Sequence, residues 1–167
     1  AAAAKEAPKD PNEIIARGWG LRCASAPEQA KNEKGEKAEV KIDKKTVDLG
    51  LQQQVTLVLW DVAGEDDSNA IRMSYVRGAA GYFLVVDGTR EETLRVAEAI
   101  HLRVNAEVGP LPFLLLLNKA DLVTEWELPH APGGSLAMSA TAVLRTSARS
   151  GDGVEEAFRE LARRITR

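Results

Sequence analysis

Three short stretches place polar residues at spacings that suit ligand chemistry: Asp61-Val62-Ala63-Gly64, Asn118-Lys119-Ala120-Asp121 and Thr146-Ser147-Ala148. Each follows an apolar run, respectively Val55–Trp60, Phe113–Leu117 and Ala142–Arg145. In open α/β sheets ligands bind beyond the carboxyl ends of the strands, where such turns lie. A carboxylate at Asp61 can hold a magnesium ion there. Gly64 lets its backbone N–H approach a phosphate with no side chain intervening. Asp-x-x-Gly alone recurs by chance in many loops; its weight comes from the two turns that follow it.

The elements that must position these turns are read from periodicity. Val55–Trp60 is apolar or β-branched throughout, as expected of a strand buried on both faces. Before it, Val40 and Ile42 alternate with charged residues, which predicts a half-exposed strand joined to the next by an antiparallel hairpin. Glu65-Asp66-Asp67-Ser68 reads as the acidic start of a helix reaching Arg77, broken by Gly78–Gly81. Tyr82–Val86 is a buried strand. Thr89 with Glu92 reads as a capping box for a helix burying Leu94, Ala97, Ile100 and Val104. His101, beside that stripe, is expected at the periphery. Leu128–Thr141 is expected to hold a further helix, and Asp152 to cap a last one facing the core with Val154, Ala157, Phe158, Leu161 and Ile165. Strands alternating with helices imply an α/β domain: a mostly parallel sheet in three layers, with helices on both faces.

With these motifs in this order, the chain resembles the Ras-like small GTPases, and the bacterial Rab type most closely. The resemblance runs from about Lys44 to Arg164 and implies guanine-nucleotide binding. Asp121 would accept two hydrogen bonds from the guanine ring N–H and exocyclic amine, a donor pair that adenine lacks. Lys119 would lie along base and ribose, Asn118 would tie the loops together, and the backbone N–H groups of Ser147 and Ala148 would reach the guanine carbonyl oxygen. Asp61 would act on magnesium through a water, with Ser25 as the direct protein ligand. Glu65 stands where the family usually carries the glutamine that orients the attacking water. Glutamate cannot donate to the transition-state oxygens, and its charge repels the γ-phosphate, so slow GTP hydrolysis is expected. The cofactors implied are GTP or GDP and Mg2+, and the partner a protein effector or regulator at the switch regions.

The front of the chain departs from the family. Ile14-Ile15-Ala16 gives a short first strand, and Gly18-Trp-Gly20-Leu-Arg-Cys23-Ala24-Ser25 follows it. Against G-x-x-x-x-G-K-[ST], Gly18 and Ser25 match, while Cys23 replaces the second glycine and Ala24 the lysine. Gly18, Gly20, Ser25 and Gly64 are the candidate phosphate contacts. Ala26–Lys45 has almost no large apolar residue before Val40, so a helix there would have nothing to pack. These features keep open a second reading, a pseudo-GTPase that retains the fold as an interaction module without effective nucleotide binding.

Composition sets the outer limits. The 167 residues suit one domain, expected over residues 13–167 behind a flexible lead-in at 1–12. With 44% apolar and 28% charged residues the chain is of ordinary globular type, and a net charge of −3 gives no reason to expect nucleic-acid binding. The single cysteine, Cys23, excludes an internal disulfide and points to a reducing, cytoplasmic setting. The apolar run Leu111–Leu117 is too short to span a bilayer, and Ile165-Thr166-Arg167 carries no prenylation cysteine, so no intrinsic membrane anchor is expected.

Overall fold

A computed structural model of the chain describes residues 13–20, 41–50, 52–63, 76–129 and 134–166. In chain order the strands are β1 (Glu13–Gly20), β2 (Lys41–Gly50), β3 (Gln53–Ala63), β4 (Gly81–Asp87), β5 (Phe113–Asn118) and β6 (Ala142–Arg145). The helices are α1 (Glu92–Glu107), α2 (Ser135–Ser139) and α3 (Val154–Ile165), with a 3-10 turn at Val123–Glu125. The described strands form one sheet in the order β2-β3-β1-β4-β5-β6. β2 pairs antiparallel with β3, as the hairpin reading required, and all other pairs are parallel.

Two apolar clusters hold the sheet to its helices, drawing on alternate residues of the same strands. Tyr82, Leu84 and Val86 of β4 join Phe113, Leu115 and Leu117 of β5 and Ala97, Ile100 and Val104 of α1. Phe83, Leu114 and Leu116 instead join Leu57 of β3 and Ala157, Leu161 and Ala162 of α3. The fold is therefore α/β, with the central strands β4 and β5 supplying both clusters.

Several local expectations are corrected. β1 runs to Gly20 rather than ending near Arg17, so Gly18 and Gly20 are strand residues. Their pairing on both sides, Gly18 with Asp61 and with Phe83, outweighs the weak strand preference of glycine. β3 is not buried on both faces: Val55 and Leu57 are buried, while Thr56, Val58 and Leu59 are half-buried. No side chain caps α1. The helix starts at Glu92 with Glu91 at its N-cap, so Thr89 lies two residues before the cap position, and its hydroxyl donates to the Asp87 carboxylate at 2.7 Å. Nor does Asp152 cap α3; its carboxylate accepts from the Ser150 hydroxyl at 2.6 Å, and Gly153 occupies the cap position. Among the described residues of Leu128–Thr141, the expected helix is α2, five residues long. Most of the helix expected after Glu65 lies outside the described residues.

His101 is also corrected, from periphery to core. It follows Ala97 by four positions, on the same α1 stripe, and is 8% exposed. Its Nδ1 lies 2.8 Å from the Tyr82 hydroxyl, its Nε2 2.9 Å from the Asn105 amide, and its ring packs on Phe113. Burial holds the imidazole below the ordinary histidine range, and Glu98 opposes the shift only in part. Below pH about 6.5 the unfolded chain takes up a proton that the folded form resists, so stability falls as the pH drops through that value. Urea midpoints measured from pH 7.5 to 5.5 will fall in the native chain and fall less in a His101→Gln variant. Equal falls in both would remove His101 as the cause.

Candidate functional site

Asp61-Val62-Ala63, read as a turn, is instead the last part of β3, because its pairing with Gly18–Gly20 of β1 continues to Ala63. The parallel strands bring the motifs to one edge of the sheet, but not to one level. Asp61 is level with Gly18 and, through it, with Phe83. Asp87 pairs with Asn118, four positions further along β4. At roughly 3.3 Å per residue the β4–β5 end stands about 13 Å beyond Asp61, before sheet twist is counted.

At the far level two loops are laced together through Asn118. Its Oδ1 accepts the Ala148 N–H at 3.0 Å and the Thr146 hydroxyl at 3.4 Å. The Ala120 N–H donates to Thr146 O, and the Gly88 N–H donates to Asn118 O. Lys119 takes a φ of +67°, a left-handed conformation uncommon outside glycine, and its Nζ lies 2.7 Å from Asp87 Oδ2.

Asp121 is set by the second loop. Its Oδ1 accepts the Ser147 hydroxyl at 2.6 Å, and Arg149 stands 4.0 Å from Oδ2. The Ser147 bond holds the carboxyl below the usual range against some desolvation, with Arg149 and Lys119 adding to the effect. Asp121 is thus an anion at neutral pH, fixed on one oxygen. Ser147 is fully buried, and its own N–H donates to Asp152 O at 2.9 Å. The two backbone donors expected to face a ligand therefore have protein partners here, Asp152 for Ser147 and Asn118 for Ala148. An incoming carbonyl oxygen would share the Ala148 N–H with Asn118.

Asp61, half-buried, lines a cavity of about 260 Å³ together with Asn118, Thr146 and Ala148. The cavity continues between Phe83, Val85 and Leu116 of the sheet and Ala157 and Phe158 of α3. Phosphate charge buried among these side chains would be strongly unfavourable, so this space underlies the polar edge rather than holding a polyphosphate. Among the described residues no group of three or more His, Cys, Asp and Glu side chains could hold a metal. Asp61 offers a carboxylate, the ligand type that magnesium, a hard cation, takes singly or in pairs beside phosphates and water. Gly64, Glu65 and Ser25 lie outside the described residues.

Sequence reading missed a clamp on the Asn118–Asp121 turn. The Trp126 ring sits on Gly88, where an added Cβ would come within 2.1 Å of it, and the Glu127 N–H donates to Gly88 O. The Arg145 guanidinium lies over the Trp126 ring, 4.1 Å from its centre. It missed Asp87 as well, although an aspartate closing a buried strand between two motif strands was the available signal. The model of the Ras family matches residues 28–167, a span that holds the Asp61, Asn118–Asp121 and Thr146–Ala148 motifs and starts after Gly18–Ser25. With the match covering most of the chain, this protein belongs to the Ras family of small GTP-binding proteins.

Proposed function

We propose that this Ras-family chain is a guanine-nucleotide switch that alternates between GDP and GTP and hydrolyses GTP slowly. The observation that carries the reading is the Asp121 carboxylate, ionised and held by Ser147 on a loop tied to Asn118. A guanine offers that carboxylate a ring N–H and an amine side by side, and adenine does not. The base would lie at the Asn118 level of the sheet and the phosphates toward Asp61. Magnesium would be held by Ser25 and, through a water, by Asp61, neutralising charge on the terminal phosphates. The presence of α1 and α3 residues in separate clusters supports a three-layer domain of the family's usual kind. A protein effector or regulator at the switch regions and a cytoplasmic setting complete the proposal.

Glu65 is the residue proposed to slow the chemistry, and single-turnover GTP hydrolysis will be faster in Glu65→Gln than in the native chain. An unchanged or slower rate would take Glu65 out of the mechanism.

The pseudo-GTPase reading is kept by Cys23 and Ala24, which replace a glycine and a lysine that phosphate binding ordinarily uses. The double change Cys23→Gly with Ala24→Lys tests it. One restored charge-assisted hydrogen bond contributes about 1.5–3 kcal/mol, so GDP affinity should rise at least about tenfold, or about 1.4 kcal/mol. Titration of a fluorescent GDP with magnesium decides. A native chain already binding in the nanomolar range would show that the front end works as it stands. If neither form binds, the interaction-module reading holds.

A further inference from the structure

Asp87 closes β4 beside Asn118, with only 2% of its side chain exposed. A carboxylate so buried is costly unless it is hydrogen-bonded or paired with a charge. Oδ1 accepts the Thr89 N–H at 3.0 Å and the Thr89 hydroxyl at 2.7 Å. Oδ2 faces the Lys119 ammonium at 2.7 Å, across 32 residues of chain. A lysine ammonium rides on a flexible four-carbon stem and is otherwise free to sample many rotamers. Here the left-handed backbone of Lys119 and the Asp87 carboxylate fix the two ends of that stem.

We infer that Asp87 is a positioning residue for nucleotide binding: its carboxylate pins the Lys119 amine so that the stem is set in place before a base and ribose arrive. The inference rests on the guanine-nucleotide reading, in which Lys119 lies along the ligand. Thr89 belongs to the same device, since it holds the Asp87 carboxylate from the opposite side. The competing account is that the pair only stabilises the fold, and a double-mutant cycle separates the two.

The cycle compares the dissociation constant of methylanthraniloyl-GDP, with magnesium, for the native chain, Asp87→Asn, Lys119→Met and the double variant. Asparagine keeps the volume of aspartate and can still accept from Thr89, while losing the charge that holds Lys119. Asp87→Asn should weaken binding about tenfold in the native background, an effect of about 1.4 kcal/mol, and less than twofold beside Lys119→Met. The same factor in both backgrounds, or less than twofold in the native one, would overturn the positioning role while leaving guanine binding intact. No binding by the native chain would overturn the guanine reading and the positioning role with it. If circular dichroism shows that Asp87→Asn does not fold, Asp87→Ser carries the same cycle, with the same outcomes deciding.

Discussion

Asp121→Ala will lose GDP affinity by about a hundredfold or more while the chain stays folded. Two charge-assisted hydrogen bonds to the guanine edge would be lost together, each contributing about 1.5–3 kcal/mol, and about 2.7 kcal/mol is a factor of a hundred. The fold tolerates the change because Asp121 stands in a turn beyond β5, outside both apolar clusters. Ser147 loses one partner at Oγ but still accepts the Ser150 N–H at 3.1 Å. Fluorescent-GDP titration with thermal melting of the same samples checks both halves. Affinity within threefold of the native value would remove Asp121 from the site.

Gly153→Ala is expected to be a strongly damaging small substitution near the site. Gly153 sits at φ +71°, and a Cβ there would fall 2.3 Å from the Arg145 carbonyl oxygen. That neighbour is backbone, with no flexible end to swing away. The left-handed conformation costs a non-glycine residue about 1–2 kcal/mol and overpacking typically a further 1–3 kcal/mol. Arg145 leads into Thr146, and Asp152, the residue before Gly153, holds the Ser147 N–H. The clash therefore acts on both ends of the loop that fixes Asp121, and GDP affinity should fall with stability. Gly151→Ala is the control, because Gly151 is also left-handed at +87° but has nothing within 4 Å of an added Cβ. Melting temperatures of the two variants check the account: Gly153→Ala should melt well below Gly151→Ala. Equal losses would mean that backbone conformation alone is responsible.

What could be read from the chain followed from local pattern. Phe113–Leu117 and Tyr82–Val86 are continuous apolar runs, and both became strands feeding two clusters. Asn118–Asp121 and Thr146–Ala148 could be recognised because each turn is contiguous, and the structure ties one to the other through Asn118. What could not be read depends on partners distant in sequence. Gly18 and Gly20 disfavour a strand, and Arg17–Gly20 is one because β3 and β4 satisfy it on both sides. The Asp87–Lys119 pair and the packing of Gly88, Trp126 and Arg145 join residues that no local window contains. Thr89 illustrates the limit of spacing: its distance to Glu92 fits a capping box, yet the helix starts at Glu92 with Glu91 at the cap, and Thr89 donates its hydroxyl to Asp87 instead. His101 was legible in principle, since its four-residue spacing from Ala97 places it on the buried stripe.

The central claim is that Asp121 and the loops that hold it select guanine. Titration calorimetry of the native chain with GDP and, separately, ADP, both with magnesium, tests it most directly. The account predicts that GDP binds at least about a hundredfold more tightly than ADP, because adenine leaves the ionised carboxylate without its donor pair. Equal affinity for the two, or tighter binding of ADP, would contradict it.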